Sequence, residues 1–133
     1  MPAQPAAKQG DIIQSIDVHI IMVPAPPGPP VPTPLPSPFQ GQLTMSLSTN
    51  VTIMGRPAAT VGSSGSNQPP HIPSGGPFQV PPTNRGQIVM GSATVMINGK
   101  PAARNNDPAV TCDDVNPAPH GRVIAIGTVF IGG

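Results

Sequence analysis

Two segments, Asn50-Val51-Thr52-Ile53-Met54-Gly55-Arg56-Pro57-Ala58-Ala59-Thr60 and Thr94-Val95-Met96-Ile97-Asn98-Gly99-Lys100-Pro101-Ala102-Ala103-Arg104, align without a gap. A third copy opens at Thr128-Val129-Phe130-Ile131-Gly132-Gly133, where the sequence stops before any Pro-Ala-Ala. The common unit is Val-x-Ile-x-Gly, followed in two copies by Pro-Ala-Ala. Val and Ile two apart share one face of a strand. The Gly two residues on lets the backbone turn, Pro ends the pairing, and paired Ala residues permit close approach of neighbouring chains. Three such units predict three similar sides around one axis. Val51, Ile53, Val95, Ile97, Val129 and Ile131 are the candidates for its packed strands.

Working outward from the repeat, every other signal is also of strands. No window of helical length keeps a 3.6-residue apolar period unbroken by Pro or Gly. Strands are expected at Asp17–Val23, Leu43–Met54, Gln87–Met90, Ala93–Ile97, Arg122–Ile126 and Thr128–Ile131, with Gly, Pro, Asn and Ser turns between them. The stretch Pro24–Pro38, PAPPGPPVPTPLPSP, reads as a polyproline II surface loop inserted in a single domain spanning 1–133. Its other reading is a ligand for a proline-binding module.

The chain has 133 residues with 22 Pro, 15 Gly, three Phe and no Trp or Tyr, so its core must be thin. Ordering the backbone costs roughly 1–2 kcal/mol per residue, so a staple or a partner is expected. Six Lys and Arg are scattered against five Asp, with no Glu. No basic patch tracks a phosphate backbone and almost no aromatic platform stacks bases, which disfavours nucleic acid as a partner. One cysteine excludes an internal disulfide. The N-terminus lacks the apolar core of a signal peptide, and no apolar run reaches the ~20 residues of a membrane span. A cytoplasmic protein, released only by some other route and without stable membrane insertion, is expected.

The three histidines fall one before each repeat: His19, His71 and His120. Cys112 lies close to His120. On spacing alone the four are either unrelated residues or, if three-fold wrapping gathers them, a tetrahedral metal site. A closed set of four protein ligands would be structural rather than catalytic. Asp17, Asp113 and Asp114 read mainly as exposed turn residues, with a supporting role to the imidazoles as the alternative. Enzyme signatures fail. Gly62-Ser63-Ser64-Gly65-Ser66 ends in Ser where a nucleophile elbow needs Gly, and Gly99-Lys100-Pro101 lacks the rest of a phosphate loop. A Cys112–His120 nucleophile has no third orienting group.

The block Asn98-Gly99-Lys100-Pro101-Ala102-Ala103-Arg104, with the near copy Pro57-Ala58-Ala59-Thr60, resembles the motif that names the PAAR-repeat family. The resemblance implies a small all-β conical fold of short sheets with pseudo-three-fold symmetry, to which this sequence adds its long Pro-rich loop and its lack of any substantial helix. It implies a non-enzymatic role: a tip that caps and sharpens the trimeric β-helical spike (VgrG-like) of a contractile injection system, one cap per trimer. That system would be a type VI secretion system or an extracellular phage-tail-like particle. The resemblance also implies one structural zinc, with iron the less suited metal, on His19, His71, Cys112 and His120. The second function to weigh is an adaptor tethering effector cargo through the Pro-rich loop. Departures from the family pattern are Ile20-Ile21 after His19, the long insertion, Thr60 in place of Arg, and the truncated third copy.

Overall fold

A computed structural model describes residues 3–114 and 117–133, and the described residues are strands and turns without a helix. The repeats fold as tight hairpins: β4 (Thr52–Ile53) on β5 (Arg56–Pro57), and β8 (Met96–Ile97) on β9 (Lys100–Pro101). Their two turn residues, Met54-Gly55 and Asn98-Gly99, all have positive φ (52°, 79°, 53° and 76°). This is the two-residue hairpin turn whose twist matches paired strands.

The third hairpin joins the two ends of the chain. β12 (Phe130–Ile131) pairs with β1 (Gln4–Pro5), Gln4 opposite Ile131 and Pro5 opposite Phe130. The same register relates Arg56 to Ile53 and Lys100 to Ile97. The third copy is therefore not truncated in space: Gln4-Pro5-Ala6-Ala7-Lys8 supplies its Pro-Ala-Ala from the N-terminus. The sequence reading missed this because the two halves lie at opposite ends of the chain.

The Ala pairs close the three units on one another. The Ala7 N–H donates to the Ala103 carbonyl (2.9 Å), Ala103 to Ala59 (3.1 Å), and Ala59 back to Ala7 (3.0 Å). All three side chains have 0% exposure. Bridges Ala6–Arg104, Ala102–Thr60 and Ala58–Lys8 surround this ring with the same three-fold order. A side chain three residues on then accepts each following amide: Asp11 for Lys8 (3.0 Å), Ser63 for Thr60 (3.0 Å) and Asp107 for Arg104 (2.7 Å). Thr60 with Ser63 keeps this turn without the ion pairs of Lys8–Asp11 and Arg104–Asp107, which accounts for the Thr at a motif Arg.

Beyond the ring, each unit sends one strand out and takes one back. The outgoing strands are β2 (Ile12–Val23), β6 (Ser64–Asn67) and β10 (Pro108–Val110). The returning strands are β3 (Val31–Met45), β7 (Arg85–Ile88) and β11 (Gly121–Ile124). They alternate in a closed antiparallel barrel of order β10-β11-β2-β3-β6-β7. Ile13, Phe39, Leu43, Ile88, Ala109 and Val123 fill it. Gly41 and Gly86 make room for Phe39, since a Cβ on either would lie 3.0 Å from its ring. A second cluster, Ala6, Ala58, Ala102, Ile53, Ile97 and Ile131, lies beneath the ring, with Val51 and Val95 against it. Val129 remains 40% exposed.

Several expected strands are shorter than the pattern suggested. The run Leu43–Met54 is broken between Met45 and Thr52, where the chain leaves the barrel for the hairpin. The largest departure is Pro24–Pro38. From Val31 onward it is not a polyproline loop but the first half of β3, paired residue for residue with β2 from Val23–Val31 to Ile16–Pro38. Along this stretch the even residues of β2 turn their polar groups away from β3: Val18 N–H reaches Asp113 Oδ1, Ile20 N–H reaches Asp114 Oδ2 and Met22 N–H reaches the Pro77 carbonyl. Their partners Pro36, Pro34 and Pro32 are therefore also non-bonded positions, where a missing N–H costs the pairing nothing.

Substitution of any ring alanine by Val, Ala103→Val for example, is expected to destabilise the chain by about 1–3 kcal/mol through overpacking at the axis. Urea unfolding followed by far-ultraviolet circular dichroism would measure it.

Candidate metal centre

The inward face of β2 reads Ile13-Ser15-Asp17-His19-Ile21, because alternate residues of a strand point the same way. Ile13 belongs to the barrel core, and the next residues rise past the barrel rim. Asp17 and His19 each have 0% exposure. His71 comes from the connection between β6 and β7, fixed there by its own N–H to Asn84 Oδ1 (2.8 Å). Cys112 is the second residue beyond β10 and is buried. The three out-and-back arms thus each deliver donors to one place.

Asp17, His19, His71 and Cys112 have ligand atoms all within 4.8 Å of one another. Cys112 Sγ lies 3.6 Å from His19 Nε2 and 3.2 Å from Asp17 Oδ2. His71 Nε2 is 3.0 Å from the same Asp17 oxygen, and Thr111 hydroxyl donates to the other. The His19 and His71 rings sit 4.7 Å apart, with the Phe78 ring edge-on to His19 at 5.6 Å.

These residues fit a metal ion by their chemistry. Asp17 Oδ2 accepts from both the His71 ring and the Cys112 thiol, so one buried oxygen gathers protons that a cation would displace. Among the described residues, buried His19 Nδ1 has no hydrogen-bond partner, and Asp114 Oδ1 stands 3.5 Å from it. That carboxylate is placed to orient the imidazole and leave Nε2 facing the cluster. Two imidazoles, a thiol and a carboxylate together form a donor set suited to zinc.

Of the four residues expected from sequence, the structure brings His19, His71 and Cys112 together. His120 stands beside them: its Nδ1 is 3.1 Å from Ser15 Oγ, its Nε2 contacts Asp113 Oδ2, and its side chain is 45% exposed. Asp17 occupies the place nearest the other three. Asp17 and Asp113 are buried and Asp114 is half-buried, so none is the exposed turn residue that the sequence suggested. The signal for Asp17 was present: it lies two residues from His19 on a recognised strand, and so on the same face.

Burial pushes the Cys112 thiol up to about 12, and the adjacent Asp17 carboxylate adds to the rise. A nucleophilic cysteine needs the opposite shift. Without a metal the thiol is therefore protonated and inert at neutral pH.

Among known proteins, a family model described as the PAAR motif matches residues 37–115 and again residues 79–133. No curated protein matches the sequence.

Since a metal takes the thiolate, binding must release the thiol proton. Apparent affinity is expected to fall about tenfold for each unit the pH is lowered, for one proton released, as read by competition with a chromogenic chelator. In the metal-free native chain, Cys112 should resist a disulfide reagent at neutral pH and react at once on unfolding.

Proposed function

The chain belongs to the PAAR-motif family, and from that premise we propose that it is the metal-clasped tip of the central spike of a contractile injection system. The observation that carries the reading is the closed three-unit ring of Ala7, Ala59 and Ala103, which gives a single chain one end with three similar sides. A trimeric spike ends in three equivalent chains, and a single chain can meet all three alike only through such an end.

The three hairpins form that end. Each buries its Ile and turns the neighbouring position outward: Thr52, Met96 and Phe130. Met54, in the first turn, is 51% exposed, Met96 58% and Phe130 57%. These apolar side chains, spread over three corners, suit burial against the blunt end of a β-helical trimer, with one cap per trimer.

At the opposite end the arms have little apolar core to hold them. His19 from the first arm, His71 from the second and Cys112 from the third would hold one zinc ion. Two side chains compete for the fourth position: Asp17, already in the cluster, and His120, held nearby by Asp113 and Ser15. When bound, the metal supplies a closed structural cross-link with no open position for substrate. The remaining work belongs to the chain: Asp114 orients His19, Thr111 holds Asp17, and Phe78 shields the imidazoles from water. Ring and clasp would together keep a thin-cored protein rigid while a contracting sheath drives it through an envelope. The adaptor reading, with cargo on the Pro-rich stretch, retains only the turn 24–30 and the outer face of the ribbon, since Val31–Pro38 is committed to pairing with β2.

Elemental analysis should find about one zinc per chain, lost in His19→Ala, His71→Ala and Cys112→Ser. Asp17→Asn and His120→Ala identify the fourth ligand: replacing it abolishes binding, whereas replacing a supporting residue weakens binding about 10–100-fold. Phe130→Glu with Met96→Glu should abolish co-purification with the spike trimer while leaving the zinc content unchanged. Loss of zinc without loss of docking would show that the two ends act separately. A metal-free protein as stable as the loaded one would refute the clasp.

A further inference from the structure

The ribbon formed by β2 and β3 beyond the barrel has two unlike faces. One carries Asp17 and His19 inward. The other presents the cross-strand pairs Ile16–Pro38, Val18–Pro36, Ile20–Pro34 and Met22–Pro32. Partners directly opposite in an antiparallel pair lie on the same face, so these eight side chains form one continuous apolar surface. Ile16 is 58% exposed and Val18 39%, the four prolines are exposed, and Ile20 and Met22 are half-buried.

From Val18 to Gly55 the sequence contains no Asp, Glu, Lys or Arg. The ribbon's free edge is equally bare of donors. Below the apolar stretch, Gln40 turns its N–H towards Asn67 on β6 and its carbonyl towards the Gln68 amide. Above it, where among the described residues β3 pairs with no further strand on that side, the outward positions are Pro38, Pro36, Pro34 and Pro32, which carry no N–H. The other edge of the ribbon is covered by Asp113, Asp114, Pro77 and Gln79. A partner protein adding a strand to the free edge would find no N–H to bond.

We propose that this face contacts the lipid of a target bilayer, seated at the level of the headgroups and outer acyl chains. An uncharged apolar surface without orphan N–H groups is what hydrocarbon tolerates. Its length agrees: from Ile16 to Met22 the strand rises roughly 20 Å at ~3.3 Å per residue, against a hydrocarbon core of about 30 Å for the whole bilayer. A polar collar ends it on the barrel side, where Gln14 lies between Gln40 and Arg122. The prolines' outward carbonyls still require water, which holds the ribbon at the interface and prevents it from spanning. The proposal deepens the spike-tip reading and rests on it for the route by which the ribbon meets a membrane. The surface itself is tested on the isolated chain.

The chain has no Trp or Tyr, so one introduced Trp reports without background. Ile16→Trp in the 133-residue chain should shift its emission to the blue, saturably, on titration with pure phosphatidylcholine vesicles. Thr49→Trp, on an exposed residue remote from the ribbon, should not shift. Adding Val18→Glu to Ile16→Trp should remove the shift while circular dichroism and zinc content stay unchanged. No shift with lipid, an equal shift from Thr49→Trp, or a shift only with anionic phosphatidylglycerol vesicles would each overturn the proposal. A blue shift that grows with protein concentration in the absence of lipid would replace it with pairing between copies. Spike docking through Phe130 and Met96, measured separately, fails or succeeds independently of these outcomes.

Discussion

Three backbone hydrogen bonds, passed from Ala7 to Ala103 to Ala59 and back to Ala7, are the constraint on which the architecture depends. A closed ring of this kind leaves no radius for a side chain larger than methyl, so the Ala-Ala pair is obligatory in all three units. It also fixes their mutual rotation, and that rotation places the outgoing and returning strands in alternation around one barrel. A ring of backbone bonds needs little apolar volume, which suits a chain whose large aromatics are three Phe. The contacts between hairpin turns continue the same cyclic order. Asn98 donates to Asn50 (2.7 Å), the Ser92 hydroxyl to the Gly132 carbonyl (2.7 Å), and the Thr128 amide to Met54 Sδ (3.5 Å). Each turn thus leans on the next unit, through different chemistry at an equivalent position.

The fold was legible where one local rule sufficed. Val-x-Ile-x-Gly announces a strand and a turn wherever it occurs, and three occurrences announce three sides. The third Pro-Ala-Ala was equally written, at Pro5-Ala6-Ala7, but its meaning depends on pairing with Phe130, a contact between chain ends that no local pattern expresses. Likewise β5, β9 and β1 each consist of two residues ending in Pro, too short to carry any periodicity. They exist because the hairpin register brings them opposite a buried Ile.

The site divides along the same line. Counting one histidine per arm gathers His19, His71 and His120, since the arms are what the repeats define; the third arm's donor in the cluster is instead Cys112, which only the family resemblance had firmly joined to the set. Asp17 was passed over because an isolated aspartate in a turn-rich sequence is most often solvated, a tendency that ignores which face of the strand it occupies. Given His19 inward, period two leaves Asp17 no other direction. The position of His120 does not follow from that rule. It lies at the end of a connection rather than on a strand, so its side chain is placed by Ser15 and Asp113 instead of by a pleat.

The prolines of β3 link these two lessons. A strand shifted by one residue exchanges its faces, and on β2 that exchange would send Asp17 and His19 to solvent. Four prolines at alternate positions oppose such a slip. In the observed register they occupy positions whose N–H would point away from β2. Displaced by one, they would fall on the bonded positions and remove a ladder bond each, on the order of 4 kcal/mol in all at about 1 kcal/mol per bond. The stretch that composition alone assigns to a loose polyproline segment therefore does the reverse. It holds Leu35 opposite His19 and Ser37 opposite Asp17, and with them the face on which the first arm meets the donors of the other two.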